Sequence, residues 1–312
     1  MKKNDLYLTT PDNIHLIGDI YLPDNQPKAA VVIVHGMAEH CARYADFAEF
    51  LTTEDFAVYT YDQRGHGRTA GTVEKLGFFA EKNGWQKVVE DVKLCVETAR
   101  KDLPNVPIFL LGHSMGSFIS REFASHYGNL IDGLMLSGTA GSAGLLGKLG
   151  IYLTSFIKLY KKSISPSKLL DKMSFGDFNK SIKIKRTAFE WLSRDEKMVD
   201  KYIADPFCGT VFTIGFFHDL LTGLEAVNTK SHAKSMRADL PIFLFSGDKD
   251  PVSLNAHQIP IVYKMYKEAG VSDISMKIYP GGRHENLNEL NREDVYADIL
   301  SWINARCKKQ KI

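Results

Sequence analysis

Gly112-His113-Ser114-Met115-Gly116 places a serine two residues from a glycine on either side. A serine hydroxyl is a weak nucleophile until a base takes its proton, so it must stand where an imidazole can reach it. The G-x-S-x-G spacing suits a sharp strand-to-helix bend that exposes such a hydroxyl, with glycines where backbone segments crowd. At a helix start, unpaired N–H groups can also stabilise an oxyanion. With Gly and Ser each near ~7% of residues, chance supplies the pattern with probability roughly 0.1 in a chain this long. The flanks make it specific. Ile108 to Leu111 form a short apolar run suited to a strand covered on both faces. Phe118, Ile119, Phe123 and Tyr127 then recur at helical spacing, with Arg121 and Glu122 between them. Ser114 is the candidate nucleophile.

A base and an orienting acid belong at the ends of later strands. Ile242 to Phe245 run into Ser246-Gly247-Asp248-Lys249-Asp250-Pro251-Val252, which offers two carboxylates. Either could instead cap the helix that follows or hold the turn. Asp250 is preferred over Asp248, because it lies further past the strand end and is freer to turn toward a histidine. The strand ending at Tyr279 runs into Pro280-Gly281-Gly282-Arg283-His284-Glu285 and offers one imidazole. Only His257 and His284 follow the acid, and His257 sits within an expected helix start. His284 is therefore the candidate base, against the plain alternative of a surface-loop histidine. The order Ser114, Asp250, His284 is that of α/β-hydrolases. In that fold the loop His35-Gly36-Met37, after the first central strand, supplies the second oxyanion donor. The expected donors are the backbone N–H groups of Met37 and Met115.

No cofactor and no metal are expected. His35 and His40 lack the i, i+4 spacing of a zinc helix, and the chain has neither G-x-G-x-x-G nor a P-loop. Cys41, Cys95, Cys208 and Cys307 show no C-x-x-C pairing, which argues against a disulfide framework and suits a reducing compartment. Lys2 and Lys3 are not followed by an apolar h-region, so no signal peptide is expected and the cytoplasm follows by default. Hydrophobic content of 44%, charged content of 24% and a net charge of +2 fit a globular protein without a nucleic-acid partner. The basic end, 307–312, is expected to be a solvated tail.

The elements that must position these groups alternate. Residues 5–22 read as an antiparallel edge hairpin. Apolar strands follow at 29–34, 56–61, 108–111, 131–136, 242–245 and 274–279. Between them lie amphipathic helices around 44–51, 85–99, 118–127, 255–269 and 295–303. This predicts an α/β fold with an eight-stranded, mostly parallel sheet covered by helices, its sites at the carboxyl ends of the strands. Between 140 and 230 the rhythm breaks into aromatic-rich helical runs. The expected organisation is a core of 1–139 and 231–312 with a helical cap inserted at 140–230. The apolar stretch 145–157 is interrupted by Lys148 and is too short to span a bilayer. It reads first as a lid helix over a pocket of the same molecule, and second as a segment that touches membrane surfaces.

With these residues in place, the chain resembles the monoacylglycerol lipase and lysophospholipase branch of the α/β-hydrolases, the group also called serine aminopeptidase-like. The matching motifs are H-G-x-x-E-H-x-x-R-Y from His35 to Tyr44, D-x-R-G-H-G from Asp62 to Gly67, and G-H-S-M-G from Gly112 to Gly116. To these add G-x-x-D-x-V from Gly247 to Val252 and G-x-x-H-E from Gly281 to Glu285. The resemblance implies Ser114 as nucleophile, Asp250 rather than Asp248 as acid, His284 as base, and Met37 and Met115 as oxyanion donors. Thr69 stands where the pattern has a serine, and in the cap only Arg194 and Asp205-Pro206 look familiar. The implied substrate is a monoacylglycerol or lysophospholipid. The rivals are a short-chain esterase, an N-terminal-trimming peptidase that would hold a substrate amine through Glu190, Asp195 or Glu196, and a non-catalytic binding protein on the same scaffold.

Overall fold

In the computed structural model, which describes residues 1–180, 182–183 and 185–307, the N-terminal alternation folds as the antiparallel hairpin β1 (Lys2–Thr9) and β2 (His15–Leu22). Residues 308–312 of the expected tail lie outside the described residues. The uninterrupted apolar runs become β3 (Ala29–Val34), β4 (Phe56–Tyr61), β5 (Ile108–His113), β6 (Gly133–Ser137) and β7 (Ile242–Gly247), each buried along its whole length. With β8 (Ile274–Tyr279) they form one eight-stranded sheet in the order β1-β2-β4-β3-β5-β6-β7-β8. Only the β1/β2 and β2/β4 pairings are antiparallel.

The helices are α1 (Ala45–Thr53), the single turn α2 (Gly67–Ala70), α3 (Gly84–Asp102), α4 (Met115–Tyr127), α5 (Leu145–Lys158) and α6 (Lys168–Phe175). They continue as α7 (Glu196–Ala204), α8 (Ile214–Val227), α9 (Lys230–Lys234), α10 (Ile259–Glu268) and α11 (Arg292–Cys307). Alternation along β3 divides the core. Ala30, Val32 and Val34 face a layer containing Val88 and Val92 of α3, Ile119 of α4 and Val262 of α10. Ala29, Val31 and Ile33 face Phe47 and Leu51 of α1 and Ile299 of α11.

Expected boundaries move for local reasons: β6 runs over 133–137 rather than 131–136, and β7 extends to Gly247. β5 extends through Gly112 and His113, because parallel pairing with Leu136 and Ser137 continues past the apolar run. α10 begins at Ile259 rather than near 255. Leu254, Asn255 and Ala256 hold φ of 54, 55 and 64°, a left-handed run no helix can include, and Pro260 starts the first turn.

Between β6 and β7 lie α5 to α9. Ile214, Phe216 and Phe217 of α8 are buried in the same layer as α3 and α4, so this helix is part of the packing against the sheet. Arg121, which the helical pattern grouped with the polar positions of α4, is fully buried. Its guanidinium donates to Ala140 O (2.9 Å), Val227 O (2.7 Å), Asn228 Oδ1 (2.8 Å) and Tyr266 Oη (2.8 Å), fastening both ends of the 140–230 segment to the sheet layer. Arg121→Met strands those acceptors in a dry site. We expect urea unfolding to report a loss of at least about 3 kcal/mol.

α5 meets α8 at Thr154 and His218 and packs Leu153 and Ile157 against the core, while Leu145, Leu146, Leu149, Tyr152 and Phe156 stand more than half exposed. Among the described residues no helix is long and apolar enough to cross a membrane.

Candidate active site

Ser114 sits between the end of β5 and the first residue of α4, with φ 52° and ψ −121°. A non-glycine residue adopts that conformation only where its surroundings impose it. Here Ser114 N–H donates to Ser137 O (2.9 Å), and Ser117 N–H donates to Ser114 O (2.8 Å). The flanking glycines permit the bend. A methyl group on Gly112 would overlap Gly116 O, and one on Gly116 would overlap Val34 O and His35 O. The serine is thereby lifted out of the strand and left partly open to a cavity.

His284 lines the same cavity, on the loop after β8. Its Nδ1 lies 2.9 Å from Asp250 Oδ1, and both side chains are buried. Asp250 is turned by two further donors, the Ser246 hydroxyl to Oδ2 (2.9 Å) and Val252 N–H to Oδ1 (2.9 Å). With the Asp250 carboxylate as acceptor, His284 carries its proton on Nδ1 and leaves Nε2 free as a base. Burial alone would lower the imidazole's pKa. The charge and hydrogen bond of Asp250 outweigh it, and the pKa is raised above 6.5. Asp248 goes elsewhere: its Oδ1 accepts from Gly281 N–H (2.7 Å). His257 is exposed on the turn before α10.

Met37 and Met115 both line the cavity beside Ser114. Among the described residues, neither backbone N–H donates to a protein acceptor. The loop that carries Met37 is fixed by a group whose role sequence reasoning missed. Glu39 is buried and accepts from Gly36 N–H (2.6 Å), the Tyr44 hydroxyl (2.8 Å) and Arg43 (2.8 Å). Burial opposes its charge, but Arg43 holds its pKa down at about 2. Arg43 also grips Glu285 through both guanidinium nitrogens, so one cation ties the Met37 loop to the residue after His284. The letters E, R and H-E of the quoted motifs are this network, and only their recurrence together could have signalled it.

His35 and Asp62 are structural. Neutral His35 donates from Nδ1 to Gly36 O (2.8 Å) and accepts from Gln63 N–H (2.9 Å), while Asp62 accepts from Cys41 N–H and Arg68 N–H (2.8 Å each). The His113 ring lies 4.7 Å from that of His284, tilted by 47°, and burial, reinforced by that neighbour, lowers its pKa to about 4, so it stays uncharged.

The cavity holds about 440 Å³, within the range of small-molecule sites. Its walls are mainly apolar, including Phe118, Phe175, Phe178, Phe189, Trp191 and Leu220. Trp191 also lies 5.2 Å from the His284 ring, and its carbonyl accepts His284 N–H (3.3 Å). No residue of α5 is among those lining the cavity, contrary to the lid-helix expectation. Nor are the three carboxylates proposed to hold an amine. Glu190 is engaged by Thr187 (3.0 Å), Asp195 by Lys197 N–H and Arg292, and Glu196 faces solvent near Arg186.

The sequence model of one family, described as serine aminopeptidase, S33, matches residues 25–291. The chain is 29% identical over 290 residues to the monoacylglycerol lipase of Mycolicibacterium smegmatis, spanning 93% of each. It is also 29% identical over 308 residues to the monoglyceride lipase of Mus musculus, spanning 96% of this chain and 90% of that one. Among solved structures, a highly thermostable carboxyl esterase from Bacillus coagulans in complex with glycerol matches with a TM-score of 0.92 at 26% identity, over 98% of this chain and 99% of that one.

Proposed function

Since this chain belongs to the serine aminopeptidase S33 family and is a serine hydrolase of the α/β-hydrolase fold, we propose that it hydrolyses monoacyl lipid esters through an acyl-enzyme on Ser114. The observation that carries this reading is the Asp250–His284 pair at 2.9 Å, whose imidazole lines one apolar cavity with Ser114. His284 takes the Ser114 proton as Oγ attacks the ester carbonyl. The oxyanion is held by the N–H groups of Met37 and Met115. His284 returns the proton to the leaving alcohol, and water, deprotonated by the same imidazole, releases the fatty acid. Asp250 fixes the tautomer and stabilises the imidazolium. In this reading 140–230 is a cap on a core of 1–139 and 231–312, and its aromatic residues form the acyl wall.

The test is a panel of para-nitrophenyl esters of increasing chain length, followed by monoacylglycerols and lysophospholipids. Rising kcat/KM toward long chains and turnover of monoacylglycerol support the reading. Cleavage of short chains alone would reduce it to a general esterase. Absence of ester turnover, with Ser114 unlabelled by a fluorophosphonate, would leave a binding protein.

One observation favours a second reading, N-terminal trimming of peptides. Asp171 is a cap carboxylate that lines the cavity, where burial raises its pKa and a substrate ammonium would offset that cost. Aminoacyl-arylamide turnover that falls in Asp171→Asn would favour it.

α5 leaves five large apolar side chains, Leu145, Leu146, Leu149, Tyr152 and Phe156, more than half exposed on one helix. We propose that it makes transient contact with lipid surfaces that present the substrate. Leu146→Asp combined with Tyr152→Asp is expected to abolish co-sedimentation with phosphatidylcholine vesicles while leaving hydrolysis of a soluble short-chain ester intact.

A further inference from the structure

We propose that His40, Asp205 and Cys208 form a binding site for a borderline divalent cation of the zinc class, clamping the 205–209 turn to the loop that follows β3. Their ligand atoms lie within 4.8 Å of one another, although His40 is 165 residues from Asp205 in the chain. A four-coordinate cation bonded at about 2.0–2.3 Å needs its ligands roughly 3.3–3.7 Å apart, so the His40–Asp205 edge opens from 2.7 Å and the edges to Cys208 need move by no more than about 1 Å.

The local backbone is built to hold this triangle. Asp205-Pro206-Phe207-Cys208 is a turn closed by Cys208 N–H to Asp205 O (3.1 Å), with proline where a turn favours it. That turn puts carboxylate and thiol on one side. Asp205 Oδ1 is held by Phe207 N–H (2.8 Å), which aims Oδ2 at His40 Nε2 (2.7 Å). Gly209 N–H then bonds Ala38 O (3.0 Å), pinning the turn beside Met37. Such outer hydrogen bonds orient ligands in metal sites.

The donor set selects the ion. One imidazole, one carboxylate and one thiolate suit zinc, whereas magnesium and calcium favour oxygen alone. Two anionic ligands also neutralise a divalent charge. The nearby Arg43 cation is already balanced by Glu39 and Glu285. His40 and Asp205 line a separate cavity of about 650 Å³, so a fourth position is open to water. Helical i, i+4 spacing passes over this cluster, because Asp205 and Cys208 share a turn and His40 meets them only through the fold.

Metal-free protein titrated with Co²⁺, a spectroscopic stand-in for Zn²⁺, is expected to take up one ion per chain and show a thiolate-to-cobalt band in the near ultraviolet. Cys208→Ser should lose the band and weaken binding by more than roughly 100-fold, beyond the usual effect of an outer partner. Saturating Zn²⁺ should raise the melting temperature of the wild type and not of Cys208→Ser. His40→Ala is the second variant, and circular dichroism of the metal-free proteins checks that each is folded. If His40→Ala fails to fold, the near-isosteric Cys208→Ser carries the test alone. Absence of Co²⁺ uptake, binding without the thiolate band, or unchanged affinity in Cys208→Ser would each overturn the site and leave a His40–Asp205 ion pair.

Discussion

Ser114→Ala is expected to lower kcat on para-nitrophenyl esters by roughly 10⁶-fold, the scale on which loss of a serine nucleophile is felt when its base remains. The substitution deletes only Oγ. The elbow is imposed by the surrounding backbone, through Ser137 O, Ser117 N–H and the two glycines that permit close approach. Alanine at φ 52° is strained no more than serine, so the fold and its melting temperature should be unchanged. Fluorophosphonate labelling should vanish with the activity. The residual rate over water should persist, because Met37 and Met115 still offer their N–H groups to a carbonyl. Activity within tenfold of wild type in a labelled-null protein would place the reacting group elsewhere.

What was legible in the sequence was whatever short range decides. The serine elbow is local: five residues, a preceding apolar run and a following helical stripe define it, and its backbone follows. The five strands from β3 to β7 were legible for the same reason, since fully buried parallel strands must be continuously apolar, and the β1–β2 hairpin by its alternation. The preference for Asp250 over Asp248 rested on distance past the strand. The feature that separates them is tertiary, because Ser246 and Val252 turn one carboxylate toward His284 while Gly281 occupies the other. Glu39, Arg43 and Glu285 were visible as motif letters, but an ion network spanning 242 residues has no signature in spacing. Arg121 misled because a charged residue between apolar ones normally faces water. Here the helix is covered on more than one side, and four acceptors from distant segments converge on it. α5 misled in the opposite sense. Its apolar residues suggested burial, yet hydrophobicity alone does not say whether a face meets protein or lipid.

Asp250→Asn should lower kcat by roughly 10⁴-fold with little change in KM, because an amide can present its N–H to His284 and favour the wrong tautomer. The pH profile separates this positioning role from a structural one. In the wild type the imidazole must be neutral to accept the Ser114 proton, and its pKa lies above 6.5. The acid limb of kcat/KM therefore lies at higher pH than an ordinary imidazole would set, with activity lost as pH falls through it. The amide in place of the Asp250 carboxylate removes the charge that opposes desolvation, so the limb must move to lower pH. Stability should respond with the opposite sense. A raised imidazole pKa contributes stability that is fully present below the unfolded value and is lost as pH rises through the folded one, and this dependence should disappear in the variant. Asp248→Asn, whose carboxylate is engaged by Gly281 N–H and Lys249 rather than by His284, should leave the acid limb where it is. A loss of kcat in Asp250→Asn with an unmoved acid limb would mean that Asp250 shapes the loop without acting on His284.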